Sequence, residues 1–377
     1  MESQEKVIVL PVRSKKEIKC FATFGNSLYL GNPYYIPDLE YDIIRTLSNR
    51  NKDTMQPFLA YLGGKVVGRV VAVINHRANR HWDVKVVRFG MIEFVENIEV
   101  ARALLDCVEK WGKERGMDTL WGPLGVTDFD KEGMLVEDFD KMGSMVTIYN
   151  HSYYPQYLER LGYHKKVDWL QARIEVPSSL PARFERVSSF AKERFNLRVV
   201  PVNKNNDVRG ENMGKKIFKM LNKAYAPLFG FVSFTDEQVE KFVKFYLSII
   251  DYRLITAVEN EENEVVGACI SMTSLNKALK KTHGKLFPLG WLYLLNSLKF
   301  HREDTANALL IGVVPEYQSL GVNAILFYEQ LKAWKEMGIK YAEIAPQLEE
   351  NIKELSQWKL FNPEIIKRRR CFEKKID

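Results

Sequence analysis

Two stretches of the chain alternate runs of β-branched residues with a short turn, which is the pattern of a β-hairpin. The first stretch, 57–74, surrounds Gly63-Gly64, and the second, 254–270, surrounds an acidic turn. β-branched runs on either side of Gly-Gly are typical of two paired strands joined by a tight turn. We therefore predict an antiparallel hairpin in each half of the chain.

Each hairpin is followed at a distance by an amphipathic helix, a glycine and a short strand. These elements are 100–115 with Gly116 and 118–121 in the first half, and 324–337 with Gly338 and 340–344 in the second. A glycine directly after the last helical turn is the usual helix C-cap. The two halves therefore share one order of elements, which indicates a duplicated fold.

The second half carries an insertion. Its interval from Gly267 to Gly338 is 71 residues, against 48 residues from Gly68 to Gly116 in the first half. The stretch 279–301 has the right length to account for this difference of 23 residues. We therefore place the insertion there.

A segment containing two prolines and two serines, 176–181, lies near the middle of the chain between a strand-like and a helix-like run. Such a composition is typical of a linker. We expect it to join two domains, 1–177 and 178–377. Each domain is predicted as a mixed α/β (α+β) layer with a partly antiparallel sheet flanked by helices.

Composition limits the kinds of partner. The 377 residues are 46% hydrophobic and 27% charged, which is ordinary for a globular chain of two domains. The four cysteines are far apart and form no CxxC pair, so we expect no metal site. The net charge of +7 suits a phosphate-bearing ligand or an anionic membrane. Basic residues alternate with acidic ones, so we expect no nucleic acid partner.

The chain starts without an apolar signal segment, and we expect a cytoplasmic protein.

One strand–turn–helix segment, 307–328, carries the predicted chemistry. An apolar strand ends at Val314, Pro315 stops it, and a helix begins near Gly321. A helix start with a glycine lets backbone N–H groups approach an anion, and the helix dipole favours negative charge there. We predict a pyrophosphate cradle; a plain strand–turn–helix joint is the alternative, since it needs the same proline and glycine. The predicted cradle residues are Gln318, Ser319, Leu320, Gly321, Val322 and Asn323.

In type and spacing, Val313, Pro315, Gln318 and Gly321 resemble the signature of the GNAT family of acyl-CoA N-acyltransferases. Further segments are similar to a bacterial family of tandem GNAT-like proteins over nearly the whole chain, some of whose relatives are ceramide-synthase-like. These segments are 75–77, 88–94, 133–140, 149–154, 157–163 and 287–292.

The resemblance implies two tandem GNAT folds and a defined reaction. The co-substrate would be an acyl-CoA, either acetyl-CoA or a longer one. An amine would attack the thioester directly in a ternary complex, which makes the protein an N-acyltransferase. Val313 and Val314 would hold the acyl-pantetheine, with Asn351 beside it. Trp358 stands where family members often carry the tyrosine that protonates the leaving thiolate.

The reaction needs an acceptor for the ammonium proton. Glu343 at a strand end and Glu349 in the next loop are the candidates, and the alternative for each is a solvated surface carboxylate. Between Glu93 and the helix at Val100 the first half lacks a cradle glycine. We therefore expect one cofactor site, in the second half, and an acceptor pocket shaped by the first half.

Two polar clusters of the first half are candidates for the acceptor pocket. For the cluster of His76 and Arg77 the alternative is a surface turn. For the cluster of Tyr149, Asn150 and Tyr153 the alternative is packing of the helix that follows. The predicted substrate-binding residues are His76, Arg77, Tyr149, Asn150 and Tyr153.

The apolar stretch 286–298 is flanked by lysines and is too short to span a bilayer, which takes about 20 residues. It suits contact with a membrane surface or a cover over a long acyl chain, and so a lipid-like acceptor; a buried core helix is the alternative. Two other functions remain open: a non-catalytic acyl-CoA sensor or scaffold, and an aminoacyl-tRNA-dependent transferase.

Overall fold

The chain folds into two α/β halves joined through one sheet. The computed structural model describes residues 6–127, 129–180, 182–203, 212–300 and 303–376, with 245–248 described by backbone alone. Residue 301 of the predicted insertion and residue 181 of the predicted linker lie outside the described residues.

The elements of the first half follow the predicted order. They are β1 (Ile8–Pro11), α1 (Lys15–Leu28), α2 (Glu40–Ser48), β2 (Met55–Leu62), β3 (Lys65–Val73), α3 (His76–His81), β4 (Val86–Phe94), α4 (Ile98–Lys113), β5 (Thr119–Gly122), β6 (Met134–Leu135), α5 (Tyr153–Arg160) and β7 (His164–Glu175).

The second half repeats this order, begins with a further helix, and adds one helix, α10, in the predicted insertion. Its elements are α6 (Ala182–Arg194), β8 (Arg198–Pro201), α7 (Met213–Ala224), α8 (Asp236–Ile249), β9 (Ile255–Glu259), β10 (Val265–Thr273), α9 (Asn276–Thr282), α10 (Gly290–Lys299), β11 (Thr305–Val313), α11 (Val322–Glu336), β12 (Tyr341–Ile344), β13 (Gln347–Leu348), α12 (Ile352–Trp358) and β14 (Glu364–Lys375).

The predicted hairpins are confirmed as β2–β3 and β9–β10, each antiparallel. A helix packs on each hairpin, and a glycine makes the close approach possible. A Cβ at Gly68 would lie 2.8 Å from Leu104 of α4, and one at Gly267 would lie 2.6 Å from Val322 of α11. The two halves therefore build the same helix-on-hairpin contact from equivalent glycines.

The two halves exchange their last strands. The sheet runs β1-β2-β3-β4-β5-β14-β7-β12-β11-β10-β9-β8, so the C-terminal strand β14 lies beside β5 of the first half. The strand β7, which ends the first half, pairs instead with β12 of the second half. The two exchanged strands also pair with each other. Each half therefore completes its sheet with a strand from the other.

In each half, two neighbouring parallel strands separate partway along their length. β4 pairs with β5 only over Val86–Arg88, and β11 pairs with β12 only over Thr305–Ala308. Beyond those points the remaining lengths of β4 and β11 lose their parallel neighbour. These two openings position the candidate site.

Candidate functional site

One cavity of about 2090 Å³ is lined by residues from both strand openings. Its wall is mostly apolar, and the polar side chains that line it come from several elements, among them α2, β4, α11 and α12. Ordinary small-molecule pockets reach about 1,000 Å³. The cavity is therefore large enough to hold two substrates, one bound at the end formed by each half.

The second-half end of the cavity is formed by the free edge of β11. Residues 309–313 of this strand line the cavity where β12 has turned away. Gln318 Nε2 donates a hydrogen bond to the carbonyl of Val313 at 3.2 Å, which holds the turn between strand and helix. Ser319 and Asn323 also line the cavity.

The start of α11 presents unpaired backbone donors. No described group accepts from the amides of Ser319, Gly321, Val322 or Asn323, and no side chain caps this helix. The four N–H groups at a helix start carry partial positive charge. The turn therefore offers the donors that an anion such as a diphosphate needs.

In the first half, the start of the equivalent helix, α4, is capped. The side chain of Asn97 accepts a hydrogen bond from the amide of Glu99 at 2.9 Å and so caps α4. Among the described residues, an open strand edge beside an uncapped helix start is found only in the second half.

The predicted cofactor residues divide into two groups. Val313, Gln318, Ser319, Asn323 and Asn351 line the cavity, whereas Val314, Leu320, Gly321 and Val322 are not part of its wall.

Gly321 faces the helix α6. It has φ +88°, and a Cβ there would lie 2.9 Å from the Cβ of Ala191. The left-handed backbone and the close approach of α6 both require glycine at this position. Packing against α6 therefore explains this glycine without any ligand.

We expect Gly321→Ala to lower the free energy of unfolding by at least about 2 kcal/mol, because backbone strain of about 1–2 kcal/mol adds to the overlap with α6. Urea denaturation measures the change. Gly338→Ala is the matched control: it has φ +71° but nothing within 4 Å of a Cβ, so only the strain remains. Equal losses in the two variants would contradict the role of α6.

Asn351 and Trp358 form part of the wall near α12. Asn351 Oδ1 accepts from the amide of Glu354 at 3.3 Å and caps α12. Trp358 is buried and packs edge to face on Phe327, with ring centroids 4.7 Å apart. Its indole closes the cavity and supplies no hydroxyl to a leaving thiolate.

Neither predicted proton acceptor lines the cavity. Glu349 is ion-paired with Arg368 at 2.6 Å and Lys165 at 2.9 Å. The hydrogen bond from Arg368 lowers the pKa of Glu349, which makes it a weaker base. Glu343 lies in the middle of β12, where burial raises its pKa and Arg173 opposes the rise.

The residues predicted to bind the acceptor substrate also fall into two groups. Tyr149 and Asn150 line the cavity, whereas His76, Arg77 and Tyr153 do not. The side chain of Asn150 binds the backbone of Leu135: its Oδ1 accepts from the amide at 2.7 Å and its Nδ2 donates to the carbonyl at 3.0 Å. Arg77 instead donates to the carbonyl of Ser233 at 2.5 Å and so connects the two halves.

Sequence reasoning missed a buried carboxylate at the first-half end of the cavity. Gly68 pairs with Phe94 as Gly267 pairs with Val313, so Glu93 occupies the position of Gly312 in the second half. The available signal was a single acid inside the apolar run 86–94.

Two tyrosines and an arginine surround Glu93. The hydroxyls of Tyr29 and Tyr154 donate to its Oε2 at 2.6 and 2.8 Å. Nη2 of the buried Arg69 lies 3.8 Å from its Oε1 and 3.9 Å from Asp38. Glu93, Arg69, Asp38 and Tyr154 all line the cavity.

Burial raises the pKa of Glu93 to about 7, and Arg69 together with the two tyrosine hydroxyls limits the rise. A carboxylate that titrates near neutral pH in a cavity is well matched to proton transfer. The first-half end of the cavity therefore holds a group suited to accept a proton, and the second-half end holds a site suited to an anion.

The comparisons with known proteins agree with this architecture. The chain is 27% identical to protein YghO of Escherichia coli (strain K12) over 96% of this chain and 94% of that protein. It is 26% identical to the bacterial ceramide synthase of Caulobacter vibrioides (strain NA1000 / CB15N), with 91% of each chain covered. No family model matches the chain.

Among solved structures, a tandem GNAT protein from the clavulanic acid biosynthesis pathway superposes with a TM-score of 0.57, at 10% identity and with 99% of each chain covered. The fold is thus a tandem GNAT fold, as predicted, and the resemblance to the tandem GNAT-like acyltransferases is confirmed. None of the described helices reaches the length and hydrophobicity that crossing a bilayer takes.

Proposed function

We propose that this protein is an acyl-CoA-dependent N-acyltransferase that acylates a lipid-like amine by direct attack in a ternary complex. The observation that carries the proposal is the opening of β11 from β12 onto a large cavity, beside a helix start without a cap. In this proposal, domain 178–377 binds the acyl-CoA and domain 1–177 binds the acceptor.

The fit of the co-substrate rests on donors that the fold leaves unpaired. The amides of Ser319, Gly321, Val322 and Asn323 would hold the diphosphate at the positive end of α11. The exposed edge of β11, 309–313, would pair with the amide groups of the pantetheine arm, as a missing strand would. When bound, acyl-CoA supplies an activated thioester carbonyl.

Proton transfer is assigned to Glu93 in place of Glu343 and Glu349. As the amine formed its bond to the carbonyl carbon, a proton would pass from nitrogen to the Glu93 carboxylate, the carbon–sulfur bond would break, and CoA would leave as the thiolate, which water would protonate. Tyr29 and Tyr154 hold the carboxylate in place. A backbone N–H of the free edge of β11 would stabilise the charge on the carbonyl oxygen.

A lipid-like acceptor is favoured by the wall of the cavity and by one relative. Leu286, Leu294 and Leu298 of the insertion line the cavity, and such a wall suits an alkyl chain. The similarity to a bacterial ceramide synthase points to the same substrate class. Contact of 286–298 with a membrane surface, from the cytoplasmic side, would suit such a substrate.

A second candidate is a non-catalytic acyl-CoA sensor. The observation in its favour is the buried Trp358, which closes the wall where a proton donor to the thiolate would be useful.

Isothermal titration with acetyl-CoA, palmitoyl-CoA and free CoA, followed by thiol release with a panel of short and long-chain amines, tests both candidates. The transferase proposal expects binding of acyl-CoA and thiol release with a long-chain amine. Binding without turnover across the panel would favour the sensor. No binding of any of the three compounds would exclude both.

A further inference from the structure

The insertion carries apolar side chains on both of its faces. Leu286, Leu294 and Leu298 point to the cavity. The outward side chains are large and lie between 41% and 75% exposed. They are Phe287, Leu289, Trp291, Leu292, Tyr293, Leu295 and Phe300. We call this set, which includes residues just before and after α10, the outer face of the insertion.

A helix that is apolar all round normally lies in a protein core or in a membrane. Here α10 lies at the surface and separates the cavity, which Leu294 and Leu298 line, from solvent. Isolated exposed apolar residues are normal, but a contiguous patch marks an interaction surface. The outer face therefore needs a covering partner.

The charge around the patch selects the kind of partner. Residues 274–300 include five lysines and neither aspartate nor glutamate. Among them, Lys281 Nζ lies 4.4 Å from the ring centre of Tyr293, at the edge of the outer face. Two copies of the chain meeting through this face would bring like charges together. An anionic lipid surface complements both the apolar patch and its basic border.

We propose that the insertion that contains α10 docks into the surface of an anionic phospholipid bilayer, and that lipid substrate passes between the bilayer and the cavity beneath α10. The docking itself stands on the outer face alone, and the passage of substrate rests on the proposed acyltransferase function. The apolar residues on the inner face then form the path that an alkyl chain follows.

Flotation with vesicles of phosphatidylglycerol and phosphatidylcholine, compared with phosphatidylcholine alone, tests the docking. We expect the wild-type protein to float with the anionic vesicles and to be released by high salt. The double variant Leu292→Glu/Leu295→Glu should lose at least about tenfold in bound fraction, because it places two negative charges on the outer face.

Leu30→Glu and Ile352→Glu are matched controls, since these residues are 74% and 71% exposed elsewhere on the surface. Each should float like wild type. Thermal unfolding and acyl-CoA titration without lipid show whether the double variant keeps its fold and its cofactor site. Turnover of a short, water-soluble amine should be retained while turnover of a vesicle-borne long-chain amine falls.

Wild-type protein that floats with neither vesicle, or a double variant that floats normally, would overturn the docking. A lipid-free dimer that the double variant dissociates would show a second copy to be the partner instead. If docking is observed but acyl-CoA does not bind, the acyltransferase proposal fails and the membrane site stands.

Discussion

Replacing Glu93 by glutamine should lower kcat by at least about 100-fold and leave the affinity for acyl-CoA unchanged. A general base contributes about 10²- to 10⁴-fold to a rate, and glutamine keeps the shape of the side chain but accepts no proton at neutral pH. The carboxylate lies at the first-half end of the cavity, whereas the proposed cradle lies at the start of α11. Binding of the co-substrate should therefore be insensitive to this change.

The pH dependence gives a sharper readout of the same residue. A base must be ionised to act, and burial raises the pKa of Glu93 to about 7. The rate of the wild-type protein should therefore rise as the pH increases through about 7, and Glu93→Gln should lose this inflection. A structural role alone would lower the rate at every pH and leave the inflection in place.

Glu349→Gln is the matched control, because Glu349 is an ion-paired carboxylate outside the cavity wall. It should keep the wild-type rate and pH profile. Thermal unfolding of both variants checks that the loss of charge beside Arg69 has not unfolded the protein. A folded Glu93→Gln variant with the wild-type profile would remove Glu93 from the reaction and return Glu343 as the next candidate.

Replacing Asn323 by aspartate should weaken binding of CoA and acyl-CoA by about tenfold or more, which corresponds to about 1.4 kcal/mol. The change preserves side-chain size and adds one negative charge where the diphosphate is proposed to lie. A negative charge in the first turn favours the helix, so the fold should be retained. Isothermal titration of the folded variant measures the effect.

The first half offers the control for this experiment. Asn97→Asp places the same new charge at the start of α4, and aspartate is as good an N-cap as asparagine. It should leave CoA affinity unchanged. Equal weakening by both variants would indicate a general charge effect, and weakening by Asn97→Asp alone would move the cofactor to the first half.

Local patterns made the repeat predictable. Alternating β-branched residues around Gly63-Gly64 specify a hairpin wherever the strands lie, and a glycine after an amphipathic helix specifies its end. The strand–turn–helix at 307–328 is predictable for the same reason, since proline fixes its own φ angle and glycine permits positive φ angles. These signals do not depend on which distant strand lies alongside.

The positions of the carboxylates were not predictable in this way. The sequence predicts Glu343 at a strand end, but β7 pairs with that strand and places the residue between Arg173 and Asn307. The sequence predicts Glu349 in a loop, and in the structure Arg368 of the exchanged strand β14 forms an ion pair with it. Arg173 is far from Glu343 in the sequence, and β14, which carries Arg368, is held in place by pairing with the distant strands β5 and β7.

The sequence by itself determined the duplicated order of elements, the place of the insertion and the open turn before α11, because each depends on backbone preferences of adjacent residues. The tertiary structure decided that β7 and β14 change places, that two strand openings meet in one cavity, and that Glu93 lies inside it with a pKa near 7. Strand pairing and burial are set by contacts between distant segments, and a pKa depends on the surroundings that those contacts create.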